Sequence, residues 1–284
     1  MTLPGKSAKS RLRGLDAFPK KKLGQNFMTS ERDLVFIAGA LSIRPHETVL
    51  EIGPGLGALT EALLASGAEV IAVEKDAALA ADLRSRSEGH TLKIIQKDIL
   101  RLDLADERPE KKPLKVAGNI PYNITSPILE WLISQRARVS EAVLTVQWEV
   151  ARRLTAKPGN KNWGSLSFFL QFYADVELLG KIDKSHFYPV PKVDSGIVRI
   201  RFLGHGRFPV SDEEALFRCV RRTFQKRRKT LLNALLSSEP GASSKEALAQ
   251  VLAKLSVDPR RRAETLSILE WTKLSEALGS LSQT

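Results

Sequence analysis

Thr48-Val49-Leu50-Glu51-Ile52-Gly53-Pro54-Gly55-Leu56-Gly57 is a short apolar run that ends in a glycine-rich turn. Glycines at such a turn let the backbone swing tightly from strand to helix and approach a ligand closely. The spacing is G-x-G-x-G rather than G-x-G-x-x-G, which leans away from a dinucleotide, and the turn alone is a weak sign of any one ligand. Outward from it the pattern repeats. Leu56–Ser66 reads as a helix, Glu69–Glu74 as a second strand, and the stretch from about Asp76 to Ser87 as a helix. Thr91–Gln96 is a third strand, Leu114–Gly118 a fourth and Glu141–Gln147 a fifth. Strands separated by helices imply right-handed crossovers, and so an α/β, doubly wound, mostly parallel sheet. Ligands of such sheets bind beyond the carboxyl ends of the strands.

The residues of interest fall just after each strand. Glu74, followed by Lys75, ends the second strand 21 residues after Gly53, where a carboxylate can accept from both hydroxyls of a ribose. A solvated charge at a strand end is the other reading. Asp98 follows the third strand; its carboxylate can accept from an adenine amino group while Ile99 packs on the ring. Asn119-Ile120-Pro121-Tyr122 follows the fourth. This tetrapeptide suits holding the exocyclic amine of a base beside a methyl donor. The Asn119 amide oxygen accepts from the amine, Pro121 fixes φ and adds no N–H, and Tyr122 offers a face for stacking. An ordinary strand-to-turn junction also uses Asn and Pro.

The chain has 284 residues, a formal net charge of +12 and a pI of about 9.9. That length holds a full α/β core and a second small domain, and that charge favours an anionic partner, nucleic acid first. A single cysteine, Cys219, excludes an internal disulfide and fits a reducing compartment. The four histidines are scattered without metal-ligand spacing, so no metal site is expected. No signal peptide or membrane span is expected. Residues 1–22 are basic and read as a solvated tail, or as an arm that tracks phosphates.

From about Gly204 the chain reads as helical, giving a small all-α C-terminal domain over 204–284 after an α/β domain over 23–203. Apolar residues at 217, 220, 224, 231 and 235 lie close to a helical stripe. Arg218, Arg221, Arg222, Lys226, Arg227, Arg228 and Lys229 interleave with them and no acid intervenes. A solvated basic face is the ordinary reading; seven unopposed charges favour a phosphate-binding face.

A glycine turn, an acid, a second acid and N-I-P-Y, in strand order, resemble the class I S-adenosylmethionine-dependent methyltransferases, whose fold is Rossmann-like. Leu23-Gly24-Gln25-Asn26-Phe27-Met28, Phe187-Tyr188-Pro189-Val190-Pro191-Lys192-Val193-Asp194-Ser195 and the basic run at 224–231 narrow this. Together they resemble the ribosomal RNA adenine dimethyltransferases, small-subunit (16S) type, from about Lys21 onward. The resemblance implies transfer of methyl groups from S-adenosyl-L-methionine to N6 of two adjacent adenines in a hairpin near the 3′ end of 16S rRNA, in an immature small ribosomal subunit. It implies Asn26, Met28, Gly53, Gly55, Glu74, Lys75, Asp98, Ile99 and Asn119 as cofactor contacts. It implies Asn119, with the Ile120 and Pro121 carbonyls, as the grip on the target amine, and Tyr122 and Phe187 as a sandwich around the target base. Arg221, Arg222, Lys226, Arg227, Arg228 and Lys229 would contact RNA. A cytoplasmic monomer is expected.

The chain departs from the family pattern at three places. Met28 stands for the usual leucine, with little change expected. Trp148 stands where lysine is common, which removes a phosphate contact and offers stacking instead. Gly196 stands where a larger residue is often found. Two other functions remain open: methylation of large-subunit rRNA (the antibiotic-resistance type) or of DNA adenine, and a non-enzymatic role in ribosome assembly.

Overall fold

The computed structural model describes residues 8–15, 18–87, 89, 91–107, 112–238 and 244–281. In chain order these form α1 (Ala8–Gly14), β1 (Phe27–Met28), α2 (Glu31–Ala40), β2 (Thr48–Ile52), α3 (Ala58–Ala65), β3 (Glu69–Glu74), α4 (Ala77–Ser85), β4 (Leu92–Gln96) and α5 (Leu104–Glu107). There follow β5 (Leu114–Asn119), α6 (Thr125–Ser134), β6 (Val139–Gln147), α7 (Trp148–Leu154), α8 (Ser165–Tyr173), β7 (Ala174–Ile182), β8 (Phe187–Tyr188) and β9 (Ser195–Phe202). The chain ends with α9 (Glu213–Phe224), α10 (Leu231–Ser238), α11 (Lys245–Lys254) and α12 (Ile268–Leu281). Two compact units result. One holds the described residues up to Arg152 with Ala174–His205; the other holds Arg153–Tyr173 and those from Gly206 onward.

The first unit is built on a seven-stranded sheet of order β4-β3-β2-β5-β6-β9-β7. The first five strands are parallel, and β9 runs antiparallel between β6 and β7. The doubly wound sheet expected from the sequence is present. The parallel strands are covered on both faces and so read as near-continuous apolar runs: Val49, Leu50, Val116, Ala117, Val143 and Leu144 are all buried. Register fixes the site. Ile52 pairs with Val73 and with Gly118, Glu74 with Gln96, and Asn119 with Thr145, so the ends of β2, β3, β4 and β5 share one edge. Helices start where a side chain satisfies an orphan N–H: Ser30 accepts from Asp33 N at the start of α2, and Asp76 from Ala78 N at the start of α4.

β7 and β9 are strands that the sequence reading passes over. In both, the alternation is imperfect: the first four residues of β9 are all buried, and the β7–β9 register shifts between Leu178 and Gly180.

The first described residues also differ from a solvated tail. α1 is a helix, and Leu12 is buried in a cluster with Phe27, Leu56 and Leu79. An apolar residue with such a niche available is held there despite its basic neighbours.

The second unit has an aromatic core. Phe168, Phe172, Phe217 and Trp271 meet at ring separations of 5.5–6.5 Å. The basic run at 217–235 is not one helix. α9 ends at Phe224, residues 225–228 turn, and α10 begins at Leu231. The Leu231 and Leu232 N–H groups donate to the Arg261 and Pro259 carbonyls, at 2.6 and 3.2 Å, rather than back along a helix, so a contact with another segment interrupts it. Cys219 is buried on α9.

Gly118 shows how tightly β5 meets β2. A Cβ there would stand 2.9 Å from Ile120 Cδ1 and 3.1 Å from the Ile52 carbonyl oxygen, which the sheet holds in place. Gly118→Ala is expected to cost about 1–3 kcal/mol, seen as a lower urea midpoint at unchanged slope.

Candidate active site

A cavity of about 970 Å³ opens at the carboxyl edge of the sheet, wholly within the first unit. Asn26, Met28, Gly53, Gly55, Glu74, Lys75, Asp98, Ile99 and Asn119–Tyr122 all line it. Residues separated by up to 96 positions are thus brought together, most of them by strand order.

The glycine turn uses left-handed backbone at Gly53, Gly55 and Gly57, with φ of +65°, +58° and +84°. At Gly55 the requirement is also steric, because a Cβ would lie 2.9 Å from the Phe27 ring. The Gly55 N–H donates to Glu74 Oε2 at 3.0 Å, and the Asp76 N–H to Oε1 at 2.8 Å. Glu74 is buried, and burial raises its pKa against the lowering effect of these bonds.

Glu51, on β2, is a second buried acid. Burial pushes its carboxyl up to about 8; the Thr60 hydroxyl, donating at 2.6 Å, works against this, and the nearby Glu74 charge adds to it. Asp98 goes the other way. Burial alone would raise it, but the Lys75 ammonium at 2.8 Å and the Leu100 N–H hold it below the usual range. Three of the carboxyl groups that line the cavity are thus tuned differently: burial raises Glu51 and Glu74, while Lys75 and a backbone N–H lower Asp98.

Asn119 is oriented by its amide nitrogen, which donates to the Asn26 carbonyl at 2.7 Å. Its Oδ1 is left facing away from that bond as an acceptor. Ile120 donates its N–H to Thr145 O, and the Pro121 carbonyl accepts from Ile124 N in the following turn. No hydrogen bond to the Ile120 carbonyl is present among the described residues. The Tyr122 hydroxyl lies 2.7 Å from Ser195 Oγ, and burial raises its pKa, so the phenol stays protonated.

Phe187 departs from the sequence expectation. Its ring is 2% exposed, lies in the apolar cluster with Met28 and Ile182, and does not line the cavity. The cause is backbone pairing: β8 runs antiparallel to β1, with Phe187 opposite Met28, which turns the ring into the core. As the chain is folded, Tyr122 alone of the expected pair has its ring at the cavity.

Sequence reasoning missed Glu51, Thr60, Arg11, Lys20, Gln25 and Asp76. Asp76 is buried and takes hydrogen bonds from Lys20 and Gln25, which together hold its pKa low against the opposing effect of burial. Arg11 Nη1 donates to Leu56 O at 3.1 Å, as does Arg86 Nη2, and both arginines pair with Glu61. Ala8, Arg11, Lys22, Leu23 and Gly24 thus form a wall of the cavity. Only the buried acid inside the glycine motif, Glu51, carried a readable signal, since Glu is rarely fully buried without cause.

In the second unit Arg221, Arg222, Lys226, Arg227, Arg228 and Lys229 are exposed. Arg227 donates to Lys161 O, and Arg221 lies 5.3 Å over the Phe169 ring. The side chains of Lys226, Arg228 and Lys229 make no ion pair among the described residues. Also among the described residues, no group of three or more His, Cys, Asp or Glu could hold a metal ion, and no helix is long and apolar enough to cross a membrane.

Residues 18–274 match the sequence model of a family described as ribosomal RNA adenine dimethylase. The chain belongs to that family. It is a methyltransferase. Among family members, it is 40% identical to the ribosomal RNA small subunit methyltransferase A of Geobacillus thermodenitrificans, over 91% of this chain and 90% of that one. It is 41% identical to the protein of the same name in Myxococcus xanthus, over 93% and 92%. Among solved structures, a dimethyladenosine transferase from Plasmodium falciparum superposes with a TM-score of 0.74 at 28% identity, over 87% of this chain and 95% of that one. The 23S rRNA methyltransferase ErmE gives 0.69 at 28% identity, over 89% and 99%. The family membership fits a class I fold with a helical C-terminal region.

Glu51 gives the site a pH signature. Its folded pKa of about 8 lies above the ordinary 4.5, so between these values the folded chain holds a proton that the unfolded chain has released. Stability is therefore lost as pH rises across that window, by up to about 1.4 kcal/mol per pH unit. Glu51→Gln should remove this slope, its melting temperature gaining on the native protein from pH 4.5 to about 8 and levelling above. Parallel curves for the two proteins would show that Glu51 holds no such proton.

Proposed function

We propose that this chain transfers methyl groups from S-adenosylmethionine to N6 of two adjacent adenines near the 3′ end of small-subunit (16S) ribosomal RNA, on an immature small subunit. The observation that carries the chemistry is the Asn119 amide, tied through its nitrogen to the Asn26 carbonyl and so offering its oxygen beside the unengaged Ile120 carbonyl. The names and identity of the curated relatives favour the small subunit over the large.

The residues present fit the donor. The Gly53–Gly57 turn brings bare backbone to the cavity, where a Cβ at Gly53 would project into open space, and Glu74 and Asp98 line the same cavity as acceptors. Glu74 would hold the ribose and Asp98 the adenine amine, with Lys75 fixing Asp98 and Ile99 packing on the ring. Asn26 and Met28 would cover the methionine end. S-adenosylmethionine supplies an electrophilic methyl on a sulfonium, which is already an excellent leaving group.

What the protein must add is alignment. The N6 lone pair of adenine is delocalised into the ring and is a poor nucleophile. Two acceptors, Asn119 Oδ1 and the Ile120 carbonyl, would take the two N6–H groups and turn the lone pair toward the methyl. After one transfer a single N–H remains, and one acceptor suffices to hold it for the second. The base leaves its stack at a cost of a few kcal/mol, and stacking on Tyr122 returns about 1–3 kcal/mol. Tyr122 is kept in place by Ser195. The exposed residues Lys226, Arg228 and Lys229 would meet RNA phosphates, a shape-based mode that suits structured RNA.

The test offers labelled S-adenosylmethionine with three acceptors: small subunits lacking the modification, naked 16S RNA, and large-subunit RNA. Dimethyladenosine at two adjacent positions near the 3′ end of 16S RNA is expected; label in the large-subunit RNA would overturn the substrate. Asn119→Ala should lower kcat about 10²–10³-fold with RNA binding retained, read by single-turnover kinetics and filter binding. Leu12→Asp should free α1 from the cavity wall and raise the S-adenosylmethionine Kd at least tenfold by calorimetry, while the fold seen by circular dichroism persists.

A further inference from the structure

The chain has four tryptophans, and three of them, Trp131, Trp163 and Trp271, are 7%, 0% and 0% exposed. Trp148 differs: it is partly exposed, and it stands directly after β6, at the same edge of the sheet as Asn119. Its backbone N–H donates to Asp194 O at 2.9 Å. The next residue, Ser195, faces Gln147 in register and holds the Tyr122 hydroxyl. One rigid junction therefore fixes both Tyr122 and Trp148.

Successive residues of a strand face opposite sides. Ser195 meets Tyr122 on one side of the edge; Gly196 leaves the other side open, and Trp148 occupies it. A Cβ at 196 would lie 3.2 Å from Trp148 Cε3 and 2.5 Å from the Ala151 Cβ. The two departures from the family pattern are thus in contact: the glycine admits Ala151 of α7 most closely and the indole beside it. Lys181, opposite Gly196 in register, sets its ammonium 5.4 Å from the indole centroid and 2.7 Å from Asp194 Oδ2.

We propose that Trp148 is the stacking platform for the nucleotide adjoining the target adenine, with Lys181 as its phosphate contact. This rests on the RNA-methylating function proposed above. A tryptophan kept only for packing would be covered as the other three are. An aromatic face beside a mobile cation is the pairing that binds single-stranded nucleic acid, the ring taking a base and the cation its backbone. The ammonium over the ring is no obstacle. A cation–π contact at an exposed site favours its closed form about two- to fivefold, and the solvent-exposed ion pair with Asp194 adds at most about fivefold, whereas base stacking on an aromatic ring is worth about five- to a hundredfold. A base would displace Lys181 from the ring, and its flexible stem would carry the charge to the adjoining phosphate. With Tyr122 and Trp148 on the two sides of one sheet edge, a strand crossing that edge splays two neighbouring bases apart.

The experiment titrates the full-length protein with an RNA loop carrying the two adjacent adenines, and with the same RNA made abasic at the residue next to the target. Because the other three indoles are buried, quenching of tryptophan fluorescence reports on Trp148. We expect quenching by the intact RNA, little by the abasic one, and none in Trp148→Phe, which keeps a ring and so guards against misfolding. Trp148→Ala should raise the KM for RNA about five- to a hundredfold with the S-adenosylmethionine Kd unchanged, and the abasic substitution should then cost no more. Normal methylation with no quenching, or an equal abasic penalty in native and Trp148→Ala proteins, overturns the platform and leaves the proposed function standing. Absence of methylation in any RNA, with S-adenosylmethionine still bound, overturns the function itself.

Discussion

A carboxylate taken out of water must be matched by donors, or the fold carries an uncompensated charge. Glu74 meets that demand with two backbone N–H groups from different segments, Gly55 in the turn after β2 and Asp76 at the start of α4. Either bond alone would leave one oxygen buried without a partner. The clamp thereby fixes the distance between the glycine turn and the end of β3, which sets the width of the cavity. It extends further, because Asp76 is itself held by Lys20 and Gln25. From there the chain runs two residues to Phe27, whose ring covers Gly55. A closed circuit of short contacts results, and the cavity is its interior.

Charge is arranged differently on the surface and in the cavity. The chain as a whole carries +12, and exposed basic residues gather in the turn between α9 and α10. The cavity lining mixes signs: Arg11, Lys22, Lys75 and Lys97 stand with Glu31, Glu51, Glu61, Glu74 and Asp98. A polyanion is drawn by the basic surface, whereas a lining of balanced charge selects a small ligand by placed hydrogen bonds. Keeping Glu51 protonated near neutral pH limits its repulsion with Glu74.

The sequence displays the sheet because parallel strands buried on both faces leave apolar runs that no other element imitates at that length. The acids at their ends are legible for the same reason: strand order places them at one edge whatever their separation along the chain. What escaped reading depends on pairing rather than pattern. Phe187 looks like an exposed aromatic in a proline-rich loop, but antiparallel pairing with Met28 turns it inward. Leu12 looks like one apolar residue in a basic tail, yet a niche made by Phe27, Leu56 and Leu79 exists only after folding. The basic run at 217–235 has helical periodicity, but the N–H groups of Leu231 and Leu232 bond to Arg261 and Pro259, partners that periodicity does not reveal, and the chain turns before them.

The close approach of β9 to α7 leaves no latitude at one position. A Cβ at 196 would lie 2.5 Å from the Ala151 Cβ, an atom that no rotamer can move, and 3.2 Å from Trp148 Cε3, whose ring needs to yield only slightly. Glycine at 196 is therefore coupled first to residue 151 and only second to the indole. Since 151 is already alanine, the one replacement there that would admit a side chain at 196 is glycine, at a cost to α7 of about 1 kcal/mol.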